Sequence, residues 1–167
     1  MIKIILENNK EIEIELMEQY APNTVNNFLK LVRENYFDNL IFHRIISGFM
    51  AQGGGYYLEG EKVLPKKDVA PIKGEFLSNG FSNELKHTPG VISMARTNDK
   101  NSASSQFFIC TANCPHLDGN YAAFGKVINQ SSMDNLMELD SVETIFHSEG
   151  LQDFPYPFIK IKTIKEV

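Results

Sequence analysis

The run FHRIISGFMAQGGG at positions 42–55 sets a cation, Arg44, and an amide, Gln52, among Phe42, Ile45, Ile46, Phe49 and Met50. A charged side chain is costly to strand in apolar surroundings unless it is paired or does something there. A second run, SSQFFICT at 104–111, adds the aromatic surface of Phe107 and Phe108 and another amide, Gln106. Together they describe an apolar pocket with one directed positive charge, and no obvious nucleophile, metal or phosphate loop beside it. In a strand, Phe42, Arg44 and Ile46 fall on one face, as do Met50 and Gln52 beyond a Ser47-Gly48 turn. On the later strand Gln106, Phe108 and Cys110 share a face, while Phe107 and Ile109 point the other way. The expectation is a concave apolar patch bordered by Arg44, Gln52 and Gln106. Composition alone favours a plainer alternative, a snorkelling arginine at the edge of the core.

The signatures of other chemistries are missing from the sequence. It carries no GxSxG elbow, phosphate loop, HExxH or dinucleotide fingerprint. His43, His87, His116 and His147 lack ligand spacing and read as surface or structural histidines, so no metal and no cofactor are expected. No activated nucleophile can be assembled from the spacing of the serines and histidines, which argues against a hydrolase. Gly53-Gly54-Gly55 follows a strand with no helix behind it and reads as a turn where backbone passes close to something. Cys110 and Cys114 make neither a zinc quartet nor a disulfide framework. Free, partly buried thiols in a reducing compartment are the simplest reading.

These residues need elements to hold them. Ile2, Ile4 and Leu6 alternate with Lys3 and Ile5, and Ile12, Ile14 and Leu16 with Glu13 and Glu15, on either side of Asn8-Asn9, which predicts a half-buried antiparallel hairpin. A helix follows, with Pro22 in its first turn and Val25, Phe28, Leu29 and Val32 on one apolar face. Short strands are expected over 40–46, 49–53, 90–95, 106–110, 122–127 and 158–166. A second helix over 131–139 carries Met133, Leu136 and Met137 and takes Ser131 or Ser132 as its cap. Residues 54–89 have little periodicity and form a stretch long for a plain loop, hence functional or partly structured. Many short strands with only two helices predict a mainly β fold, a closed eight-stranded antiparallel β-barrel capped by two α-helices.

At 167 residues, the chain fits one domain over 1–167. Its net charge of -5 argues against nucleic-acid binding, which needs a basic stripe. No run has the length of a secretory h-region or of a membrane span, so no membrane partner is expected and a cytoplasmic, bacterial-type protein is the simplest reading. No long apolar face is left over after barrel and helices are built, so a monomer is the default.

The segments IFHRIISGFMAQGG (41–54), HTPGVISMAR (87–96), SSQFFICT (104–111) and HLDGNYAAFGKV (116–127) occur in this order. They resemble the signature of the cyclophilin family of peptidyl-prolyl cis–trans isomerases, particularly its short single-domain bacterial members. The resemblance covers essentially the whole chain. It implies that Arg44 is the catalytic arginine and that Phe49, Met50, Phe108 and Leu117 wall a proline pocket. It further implies that Gln52 holds substrate backbone, that Ala95 and Arg96 form the edge where backbone pairs with the peptide, and that Gln106 lies near an adjoining pocket. Strict alternation would set Phe49 opposite Met50 and Gln52, and a twist or bulge after Gly48 would reconcile the two readings.

Two departures bear on partners. Tyr121 stands where many eukaryotic members have a histidine, and it still supplies a ring wall and a hydroxyl. His116 stands where cyclosporin-sensitive members have a tryptophan, so weak cyclosporin binding is expected; a nanomolar inhibition constant would refute this. Arg96 replaces an asparagine common in the family and is expected to contribute mainly its backbone. The implied partners are proline-containing peptides and unfolded polypeptides. The implied chemistry is non-covalent, because an arginine hydrogen bond to the prolyl nitrogen strengthens only as the amide twists. Arginine stays protonated, so a flat pH–rate profile is expected from about pH 6 to 9. The competing reading is a proline-peptide-binding chaperone module with little catalysis.

Overall fold

In the computed structural model, residues 1–147 and 150–167 are described. The alternation at the N-terminus folds as a hairpin. β1 (Ile2–Leu6) and β2 (Glu11–Leu16) pair antiparallel, with Ile2 opposite Ile14 and Ile4 opposite Ile12, all four buried. Asn9 makes the turn at φ +68, a left-handed conformation that asparagine tolerates.

α1 (Pro22–Arg33) begins on proline and buries Val25, Phe28, Leu31 and Val32. Ala21 gives it no side-chain cap. The buried Glu75 does so instead, its Oε1 accepting from the Thr24 backbone N and Oγ1, both at 2.7 Å. A carboxylate there meets the positive end of the helix. The opposite face of α1 is wet, and Phe28 packs inward on Phe37, Phe107 and Phe124, with ring centroids 4.9, 5.6 and 5.2 Å away.

The remaining strands are β3 (Leu40–Ile46), β4 (Met50–Glu59), β5 (Lys62–Pro65), β6 (Val91–Met94), β7 (Phe107–Cys110), β8 (Ala123–Val127), β9 (Thr144–Ile145), β10 (Phe154–Pro155) and β11 (Ile161–Glu166), with α2 (Gln130–Asp140) after β8. The main sheet runs β11-β1-β2-β8-β6-β7-β4-β3, and β5 adds to β4. Its two ends meet. Ile41 bridges Lys160, Asn39 N donates to Ile161 O at 2.9 Å, and Phe42 N donates to Ile159 O at 3.0 Å. The fold is thus mainly β, an eight-stranded antiparallel barrel with two helices among the described residues, as expected. No helix among them is long and apolar enough to cross a membrane.

Several expectations are corrected. The stretch 54–89 opens with a hairpin, because β4 continues through the three glycines to Glu59 and returns as β5. The glycines are strand, not turn, yet close approach is their reason. Gly54 has φ +89, and a Cβ there would stand 2.7 Å from Ser105 O; one on Gly55 would stand 2.4 Å from the Gln106 side chain. α2 is capped by Asn129, whose side chain accepts from Ser132 N at 2.8 Å, rather than by Ser131 or Ser132. Ser132 instead turns its hydroxyl to the Glu13 backbone N at 2.8 Å, tying the helix to β2. The last strand starts at Ile161, later than 158, and the small β9–β10 pair had no counterpart in the periodicity.

Candidate active site

The cation is placed by a bulge. Arg44 pairs with Gln52 and Phe42 with Gly53, so β3 carries one residue more than β4 at His43. Strict alternation put Phe42 beside Arg44; the extra residue separates them. Phe42 turns into the barrel, its ring 6.0 Å from that of Phe107, while Ile46 joins a second apolar cluster beside the cleft that Arg44 lines. The Phe49 conflict, for which a twist or bulge after Gly48 was expected, is resolved by a turn at Gly48 itself. Gly48 turns the chain at φ +74, and Phe49 lies in that turn, before β4 begins, where alternation does not bind it. On β7 the alternation holds, with Phe108 and Cys110 toward the second cluster and Phe107 and Ile109 toward the barrel core.

Phe49, Met50, Ala95, Phe108, Leu117 and Tyr121 wall a cleft of about 120 Å³, whose polar members are Arg44, Gln52 and Arg96. Gln106 lines a neighbouring polar hollow of about 160 Å³ with Thr97, Ser102 and Ser104. His116 stands outside both; it is exposed, its ring 5.6 Å from that of Phe49. A larger hollow of about 460 Å³ between the first hairpin, α2 and residues 158–160 shares no residue with the cleft. Its charged rim is taken up by Lys10–Glu138 and Lys160–Glu7 ion pairs.

Arg44 Nη1 donates to Gln52 Oε1 at 3.4 Å, and Gln52 Nε2 donates to Gln106 Oε1 at 3.0 Å. This chain fixes both amides and holds the guanidinium loosely. Among the described residues no carboxylate lies within ion-pairing distance of Arg44. The Ala95 N–H is already committed to Gln106 O at 3.0 Å. Arg96 does more than lend its backbone. Its guanidinium lies 4.9 Å from the Phe76 ring and 4.6 Å from the Tyr121 ring, and Nε and Nη2 donate to Asn120 O at 3.2 and 2.7 Å. It braces the loop that carries Tyr121.

Behind Phe108 lies an assembly that sequence spacing did not reveal. The His87 ring stacks on Phe108 at 6.0 Å, its Nδ1 lies 2.9 Å from Asp118 Oδ1, and its Nε2 lies 2.9 Å from Ser93 Oγ. The order Asp–His–Ser is that of a hydrolase relay. However, Ser93 is wholly buried, so no substrate carbonyl reaches it. The group is a strut. Burial holds the His87 pKa below its usual value despite the opposing pull of Asp118. Burial alone would raise Asp118, but hydrogen bonds from the His87 backbone and ring, with the charge of Lys86, hold it below the usual carboxylate range. Cys110 and Cys114 lie in the apolar cluster under the cleft, both free and buried. Burial pushes both thiols up, away from the reactive thiolate.

The family described as cyclophilin type peptidyl-prolyl cis-trans isomerase/CLD matches residues 1–166. A peptidyl-prolyl cis-trans isomerase of Acinetobacter baylyi is 39% identical over 163 residues, covering 95% of this chain and 81% of its own. A peptidyl-prolyl cis-trans isomerase-like 3 of Gallus gallus is 42% identical over 136 residues, 81% of this chain and 77% of its own. A cyclophilin type peptidyl-prolyl cis-trans isomerase of Cryptosporidium parvum, whose crystal structure was determined in the presence of the dipeptide Ala-Pro, shares the fold at a TM-score of 0.76 and 30% identity, covering 99% of this chain and 98% of that one. The chain belongs to the cyclophilin-type peptidyl-prolyl cis–trans isomerases, a family of isomerase enzymes.

Proposed function

We propose that the chain catalyses rotation about X–Pro bonds in folding polypeptides, with Arg44 stabilising the twisted prolyl nitrogen. The observation that carries this reading is an arginine lining an apolar cleft with one long hydrogen bond to Gln52 and no ion-pair partner among the described residues. Amide resonance sets a barrier of about 18–20 kcal/mol. When the bond twists, resonance is lost and nitrogen regains a lone pair that a guanidinium N–H can bind. The planar ground state offers that donor nothing, so the interaction is made only where it lowers the barrier. Phe49, Met50, Phe108, Leu117 and Tyr121 hold the pyrrolidine ring and exclude water. Gln52, with the backbone at Ala95 and Arg96, anchors the flanking peptide so that one side rotates against the other, and Gln106 serves the adjoining hollow.

No covalent bond forms and no proton moves. Two buried free thiols suit a reducing compartment such as the cytoplasm. The exposed His116, without an indole to cover a cyclic peptide, leaves cyclosporin binding weak.

The test compares wild type with Arg44→Ala in a proline-limited refolding assay. Loss of one donor aimed at developing charge lowers kcat/KM by about 10²–10³-fold. A variant that accelerates refolding as well as wild type overturns the arginine mechanism. Binding of an Ala-Pro peptide without acceleration by either protein makes the chain a binding module instead.

A further inference from the structure

We propose that Asp140, the last residue of α2, is a positioning residue that sets the place of the Phe49 wall and through it substrate affinity. The proposal rests on the isomerase reading above and on Phe49 as a wall of the cleft. Asp140 Oδ1 accepts from the Gly48 backbone N at 2.9 Å and from Thr111 Oγ1 at 2.7 Å, and Oδ2 accepts from Ser47 Oγ at 3.1 Å. Thr111 N in turn donates to Phe49 O at 2.9 Å. One carboxylate therefore ties the turn before Phe49 to the residue that holds the Phe49 carbonyl. Thr111 also opens the segment that leads to Leu117, the wall facing the same cleft.

Packing holds Phe49 against the second apolar cluster but not the two residues before it. Ser47 and Gly48 are exposed, and a Cβ built on Gly48 would find nothing within 4 Å. Its left-handed φ of +74 leaves the turn dependent on hydrogen bonds for its place. Nor does α2 gain from the acid. A carboxylate at a helix C-terminus meets the negative end of the dipole, and the last turn of α2 contains no basic residue to offset it. The helix is thus stable in spite of Asp140, and the contacts that the side chain makes all belong to the segments around Phe49. Arg44, Gln52 and Gln106 lie outside this set, so the arginine's action on the nitrogen is untouched.

The experiment measures KM and kcat on an Ala-Pro peptide by exchange NMR for wild type, Asp140→Ala, Asp140→Asn, Phe49→Ala and the Asp140→Ala/Phe49→Ala double variant. Displacing a wall by a fraction of an ångström raises KM about 5- to 10-fold for Asp140→Ala, with kcat within about twofold. Asp140→Asn keeps one acceptor and falls between, which also covers the case in which the alanine variant does not fold. In the Phe49→Ala background, removal of Asp140 raises KM no further, because residues acting through one group are not additive. Asn129→Ala, at the other end of α2, lowers stability without moving KM. The proposal is overturned if both Asp140 variants keep wild-type KM, or if the two substitutions multiply. If Phe49→Ala itself leaves KM unchanged, the reading of the cleft fails instead.

Discussion

At the level of single residues, Arg44 differs from an ordinary surface arginine in what it lacks. It has no ion pair among the described residues, a 3.4 Å hydrogen bond as its tether, and apolar rings around it. Charge alone does not make it useful. A guanidinium presents a rigid fork of donors, so in the proposed mechanism one N–H stays on Gln52 while another meets the prolyl nitrogen. An ammonium is a strongly hydrated point charge on a flexible stem. Arg44→Lys therefore keeps the charge and loses most of the rate, with kcat/KM falling about 10- to 100-fold, because lysine cannot reproduce the paired geometry. Peptide exchange kinetics on the purified variant check this, and wild-type rates would mean that the field of a cation suffices. The amide chain from Gln52 to Gln106 belongs to the same scale, since it fixes which way the Gln52 amide is turned.

Among the elements, α2 separates structure from function along its own length. Its N-terminus is closed by Asn129, a contact that serves only the helix. Asn129→Ala costs about 1 kcal/mol of stability, seen as a lower denaturant midpoint, with kcat/KM unchanged. A drop in kcat/KM at constant stability would show that the cap reaches the cleft. The elements also explain what could be read beforehand. Alternation marked β1 and β2 because each has one face in the core and one out, while β7 alternates between two apolar clusters, and the periodicity of α1 was equally plain. The bulge at His43 could not be read, since an extra residue leaves composition unchanged while it reverses every side chain beyond it. The β4–β5 hairpin hid behind three glycines, which read locally as a turn, though Gly54 and Gly55 are required by contacts with Ser105 and Gln106, some fifty residues away. Family resemblance supplied the members of the cleft; Asp140 and the His87 strut came only from the fold, as their partners are distant in sequence.

Over the whole molecule, packing outside the main core also buries polar groups, and His43, beside Tyr56 of a third apolar cluster, shows the consequence. It sits at the bulge of β3, 5% exposed, with its ring 4.5 Å from that of Tyr56 and Nδ1 without a partner among the described residues. Burial, helped by the neighbouring charge of Arg44, lowers its pKa from 6.5 to about 4. The unfolded chain therefore takes up a proton at His43 below about pH 6.5, whereas the folded chain does so only near pH 4. Between those values the unfolded state holds more protons, so stability rises with pH across this window and is lost as pH falls through it. The difference between 6.5 and about 4 corresponds to about 3 kcal/mol, fully present above pH 6.5 and gone below pH 4. His87, also lowered by burial, acts in the same direction. Urea titrations of wild type between pH 7 and 4 are expected to lose that stability progressively, and His43→Gln to lose about 3 kcal/mol less over the same range. Equal losses in the two proteins would mean that buried His43 is not the source of the acid sensitivity. The isomerase rate of the folded protein is expected to stay level from about pH 6 to 9, because the folded pKa of about 4 leaves the histidine beside Arg44 neutral throughout that range.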